Sequence, residues 1–170
     1  YLPAIVECEA AFLDAHPEVG AVFALDMMID ADGRDRGVGR VELPKEVPAN
    51  TPLDYASVLN ALLLYKNRIF RAPSSMVRAS VYREVGPYRG GDFPVAADFE
   101  MFLRIARRAP VAILGDHLFR YRWGHGNADQ MDRLGRLGPE PYFTIMEEHL
   151  SAGGMALARK DSLAAHRAHL

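Results

Sequence analysis

The chain has 170 residues and a formal net charge of −2, with 20 basic residues against 22 acidic ones. Hydrophobic residues make up 49% and charged residues 25%, the profile of one ordinary folded domain and not of a disordered, collagen-like or low-complexity chain. The balanced charge argues against a nucleic-acid binder, no apolar run approaches the roughly 18–20 residues of a bilayer span, and the lone Cys8 excludes both an internal disulfide and a multi-cysteine zinc site.

The chain opens at Tyr1, on what reads as helix from the middle of a protein. No charged segment followed by an apolar one precedes it, so the expectation is a cytoplasmic piece of a longer protein. Residues 4–15 predict a helix with Ile5, Ala11, Phe12 and Ala15 on its inner face and Glu7, Glu9 and Asp14 elsewhere. His16-Pro17 ends it, because the residue before proline is pushed out of the α region. From Val19 to Ile29 both parities are largely apolar, which predicts a strand buried on both faces. Asp30-Ala31-Asp32-Gly33 supplies turn chemistry, and Val38–Leu43 can return as the second strand of a hairpin.

Residues 44–52 read as a loop. Thr51-Pro52-Leu53-Asp54 predicts a helix start, with Thr51 as cap, Pro52 in the first turn and Asp54 as the acid of a capping box; the helix runs to about Leu64, with Tyr55, Leu59, Leu62 and Leu63 inward. A short strand is expected at Ser74–Val77, then a helix over Ser80–Val85 closed by Gly86. The plainest helix is Asp98–Arg108. Phe99, Phe102, Leu103 and Ala106 form its stripe, Glu100 and Arg104 pair on its outer side, and Arg107 and Arg108 suit its negative end. Val111–Leu114 and Leu118–Trp123 read as two extended segments, residues 124–138 as a loop or lid, and residues 140–150 and 156–169 as helices parted by Gly153-Gly154. Strands alternating with helices predict an α/β domain.

Four blocks carry a family likeness. They are Pro17–Val22 leading to Ile29-Asp30-Ala31-Asp32-Gly33-Arg34; Asn67-Arg68-Ile69 with Ser74-Ser75-Met76-Val77-Arg78; Val81-Tyr82-Arg83-Glu84-Val85-Gly86-Pro87-Tyr88; and Ala97-Asp98-Phe99-Glu100-Met101-Phe102-Leu103-Arg104 followed by Leu118-Phe119-Arg120-Tyr121-Arg122. In this order they resemble the C-terminal half of the catalytic domain of family 2 glycosyltransferases, which have the GT-A fold. The resemblance implies a partial GT-A domain over residues 1–138, a mixed sheet flanked by helices that lacks the nucleotide-binding half, with a helical extension over 139–170. It implies a sugar transferred with inversion from a nucleotide-sugar donor to a hydroxyl of a glycan or other acceptor, as in polysaccharide biosynthesis at the cell envelope. The full-length enzyme would use a divalent metal, Mg or Mn. This piece alone would be inactive, because the metal-binding aspartates belong to the half that precedes it. Two departures stand out: that first half is absent, and the acid pair that opens the family's helix reads here Ala97-Asp98.

Within that likeness Asp98 matches the general base that takes the acceptor's proton, although an aspartate at a helix start is also an ordinary cap. Asn67, Ser74 and Ser75 fall on the acceptor-side wall, where they can bond a hydroxyl-rich substrate or their own backbone. Arg122 matches a residue that neutralises a leaving diphosphate, or is a surface charge at a strand end. Trp123 offers a flat face to a sugar ring, or is core. His125 follows Tyr121-Arg122 at the spacing of a family histidine that approaches the metal, or is a solvated loop residue. Asp30-Ala31-Asp32 spells the family's metal motif but is read as a turn, because Gly33 follows at once. His117, His149, His166 and His169 share no ligand spacing and are read as structural or exposed. The rival to a transferase is a carbohydrate-binding or protein-interaction module on the same fold. An incomplete sheet would also offer an edge for assembly with a second copy.

Overall fold

A computed structural model describes residues 1–35, 43–122 and 140–168. Three strands form a mixed sheet flanked by helices: β1 (Ala21–Ile29) lies centrally, β2 (Met76–Val77) pairs with it antiparallel, and β3 (Val111–Arg122) pairs with it parallel. The helices are α1 (Ile5–Ala15), α2 (Tyr55–Tyr65), α3 (Ala79–Val85), α4 (Ala97–Arg108), α5 (Pro141–Ser151) and α6 (Lys160–Ala168). Short 3₁₀ turns span Ala72–Ser74 and Gly154–Ala156.

The double-sided burial expected of β1 is present, and its alternating side chains divide two cores. Ala21, Phe23 and Leu25 join the larger one with α2, α4 and α5, while Val22 and Ala24 join a smaller one with Ile5 and Leu13 of α1. At the centre of the larger core Phe23 packs on Phe70 at 4.6 Å and edge-on to Phe102 at 4.8 Å between ring centroids. Such aromatic pairs add about 0.5–1.5 kcal/mol each beyond the area they bury. The C-terminal helices share this core. Tyr142 Oη donates to Leu62 O at 2.6 Å, and Asn60 holds Leu157 O and Arg159 N at 3.0 and 2.7 Å.

Tertiary contacts changed several expectations. The buried face of α1 is Ile5, Glu9 and Leu13, while Ala11 and Ala15 are exposed, so an acid sits where the apolar pattern placed none. Thr51 does not cap α2. Leu53 exchanges backbone hydrogen bonds with Val111, both 2.8–3.0 Å, which holds residues 51–53 extended; the helix starts later and Asp54 caps it by accepting from Ser57 N at 2.8 Å. The Glu100–Arg104 pair is not on the outside. Glu100 is 1% exposed, because Arg104 also reaches Val85 O and Pro87 O and draws the end of α3 over that side of α4. The two extended segments after α4 are one strand. Register shifts opposite Phe23–Asp26 absorb the extra residues of Gly115-Asp116-His117.

Gly20 lies where a Cβ would stand 2.7 Å from the Ala109 Cβ, which explains a residue without a side chain at the entry to β1. One sheet edge is the two-residue β2. Along the other, Leu2 N, Asn50 N and Leu53 N donate to Leu118 O, Ile113 O and Val111 O of β3. Ile29 forms an isolated antiparallel bridge to Asp35, but most of the expected return strand Val38–Leu43 lies outside the described residues. Among the described residues no helix is long and apolar enough to cross a membrane.

Candidate active site

The turn after β1 is built by Asp30. Its Oδ1 accepts from Asp32 N at 3.0 Å and Arg34 N at 2.9 Å, and Gly33 takes a left-handed φ of 84°. Asp32 Oδ2 faces Arg34 at 3.3 Å. The carboxylates that spell a metal motif are thus engaged in turn formation, as read from Gly33. Arg122, at the end of β3, donates through Nη1 to Asp30 O at 2.9 Å and to Ala31 O. It secures that turn.

Asp98 stands in the first turn of α4. The cap position is Ala96, which has no side-chain acceptor, so the exposed N–H groups of this helix start lack a conventional partner. Asp98 Oδ1 fills that role by accepting from Phe99 N at 2.7 Å. The helix dipole favours the same negative charge. One carboxylate oxygen is thus fixed by the helix, and the half-buried residue lines a cleft of about 410 Å³.

Four elements build this cleft. The start of α4 contributes Asp98 and Phe99; the connection from α2 to β2 contributes Asn67, Phe70 and Arg71; β3 contributes Tyr121; and the start of α5 contributes Glu140 and Tyr142. Lys66, just before Asn67, has a left-handed φ of 53°, a conformation uncommon outside glycine that turns the chain out of α2 toward the cleft. The Lys66 ammonium lies 3.3 Å from Glu140 Oε2 and 5.0 Å from the Phe143 ring centre, tying the two walls together. Outside the lining, Tyr82 and Tyr88 share a hydrogen bond of 3.2 Å between their hydroxyls. The Tyr88 phenol is pushed above its ordinary range, first by burial and then by the Tyr82 hydrogen bond, with the Asp98 charge adding to the effect.

Of the residues singled out from the sequence, Asp98 and Asn67 meet in this cleft. Ser74 is 1% exposed and its hydroxyl serves the fold: it donates to Ala24 O and Arg71 O and accepts from Ala24 N, at 2.9–3.0 Å. Ser75 Oγ donates to Ala72 O at 2.9 Å, and this residue borders a different cavity, of about 530 Å³, beside α1. Trp123, His125, His169 and the expected lid lie outside the described residues. Of the remaining histidines, His149 is buried, with Nδ1 3.0 Å from Tyr55 Oη, and its pKa is pushed down to about 4 by burial and the nearby Arg107. Among the described residues no three His, Cys, Asp or Glu side chains converge as a metal site.

Arg71 is the cleft residue that sequence reading passed over. Its Nε donates at 2.7 Å to Oδ1 of Asp26, an aspartate of β1 with no solvent exposure. An acid in the middle of a strand buried on both faces was the available signal, since such a charge demands a partner. Compared with known proteins, the chain matches no family model and no curated protein.

Proposed function

We propose that this chain is the acceptor-binding, base-bearing half of a GT-A glycosyltransferase. The observation that carries the reading is Asp98, a carboxylate steadied on one oxygen by Phe99 N and set in a cleft that also holds Asn67. In the reaction, Asp98 takes the proton of the acceptor hydroxyl while that oxygen attacks the anomeric carbon of the donor. The new glycosidic bond forms as the bond to the nucleoside diphosphate breaks, with inversion at that carbon. The Phe99 contact keeps the carboxylate in one orientation, which favours a productive geometry over a freely rotating acid. Asn67 supplies a hydrogen-bonding amide for the acceptor. A divalent metal, if the full-length enzyme binds one, would supply positive charge toward the leaving diphosphate.

Asp98→Asn in the full-length enzyme tests this. A base contributes about 10²–10⁴-fold, so turnover should fall by at least a hundredfold while nucleotide affinity stays within about twofold. Equal turnover in variant and parent rejects Asp98 as base. Glycan binding at this cleft in a full-length protein without any transfer moves the assignment to a binding module.

A further inference from the structure

We propose that Arg71 is an anion-recognition residue of the Asp98 cleft, and that the acceptor bound there carries a phosphate or a carboxylate besides its reacting hydroxyl. The inference rests on the reading of Asp98 as the acceptor-side base. It starts from how Arg71 is held. Asp26 is fully buried on β1 and engages only the Nε of the guanidinium, at 2.7 Å. Among the described residues that bond is the guanidinium's sole hydrogen bond, and its two Nη groups make none. The backbone is fixed as well, since Arg71 O accepts from both Ser74 N and Ser74 Oγ at 2.9 Å, and Ser74 is itself bonded to β1 at Ala24.

A guanidinium anchored through Nε by a buried acid keeps a planar pair of Nη donors, the fork that matches two oxygens of a carboxylate or phosphate. Anchoring removes much of the rotamer entropy that a free arginine loses on binding. The cleft has a reason to need it. Its other charged lining residues are Asp98 and Glu140; Glu140 is paired with Lys66 at 3.3 Å, so it is Asp98 that repels an anionic acceptor unless a cation receives it. Arg122, which the family resemblance marked for an anion, lies at the 30–34 turn, to which its Nη1 donates, and is not among the residues lining this cleft.

Titration calorimetry of the full-length protein with glucose, glucuronate and glucose 6-phosphate tests the proposal. At least one of the anionic sugars should bind about tenfold or more tighter than glucose, the worth of one charge-assisted hydrogen-bonded contact. Preference for glucuronate identifies a carboxylate acceptor and preference for glucose 6-phosphate a phosphorylated one. Arg71→Gln should bring the anion down to the affinity of glucose. If that variant does not fold, Arg71→Lys replaces it; lysine keeps the charge without the fork, and the preference should fall at least threefold. No preference for an anion, or a preference unchanged in these variants, overturns the proposal. Asp98-dependent transfer without an Arg71-dependent anion preference rejects this inference alone. An Arg71-dependent preference without Asp98-dependent transfer rejects the transfer reading alone.

Discussion

α1 and α4 pack on opposite faces of one small sheet, and each buries a glutamate. Glu100 of α4 is 1% exposed and accepts from Arg104 Nε at 2.8 Å and Arg89 Nη1 at 3.4 Å. Glu9 of α1 is 3% exposed, and its Oε1 has no hydrogen-bond partner among the described residues. Burial alone raises the Glu9 pKa from 4.5 to about 7. The same side chain is thus held by two arginines on one face and is an acid drawn toward neutrality on the other. Depth is nearly equal, so the partner decides. A buried carboxylate keeps its charge where cations and hydrogen bonds replace water, and otherwise takes up a proton.

The largest expected effect comes from breaking the paired side. Glu100→Gln leaves Arg104 without its carboxylate in a mostly buried position. Arg104 keeps Val85 O and Pro87 O, so the cost belongs near the lower end for a broken buried pair, about 3 kcal/mol. Urea unfolding at pH 7 measures it, and a loss below about 1 kcal/mol would mean that the pair adds little.

The unpaired side gives a pH-dependent effect of opposite sign. Because the folded pKa of Glu9 is raised, the native state holds a proton that the unfolded chain releases. The contribution of Glu9 is therefore full below pH 4.5 and is lost as pH rises through about 7. Glu9→Gln removes this dependence and should leave the variant more stable than the parent at pH 8, by a margin that grows as pH rises from 4.5 through about 7. Parallel stability curves for parent and variant from pH 4 to 8 would refute the assignment.

The smallest effect separates the two arginines on Glu100. Arg89 is 37% exposed and divides itself among Asp92, Glu100 and Glu148. Arg89→Gln should cost under about 1 kcal/mol and fade further in high salt, as exposed pairs do. A cost equal to that of Glu100→Gln would show that Arg89, not Arg104, holds the buried acid.

The same contrast separates what could be read along the chain from what could not. The extent of α4 was legible, since its apolar stripe is long and regular. So was the burial of β1, whose both parities are largely apolar. Asp98 and Asn67 were named from motif order and do share a cleft. Ser74 was named on the same basis, but its hydroxyl joins a turn to β1. Small hydroxyl residues in a loop look alike in sequence whether they face a ligand or a backbone carbonyl.

The sequence by itself determined the class of the fold, the turn at Asp30–Gly33 and most helix limits, because periodicity, proline and glycine act within a few residues. Tertiary structure decided which acids are paired. Glu9 reads as an outward polar residue until α1 packs on the sheet and buries it. Glu100 reads as half of a surface pair until residues 85–89 close over it. Arg71 gains its meaning only when Asp26, 45 residues earlier, is set beside it. Charge in a protein interior is governed by distance and desolvation in three dimensions, which spacing along the chain does not encode.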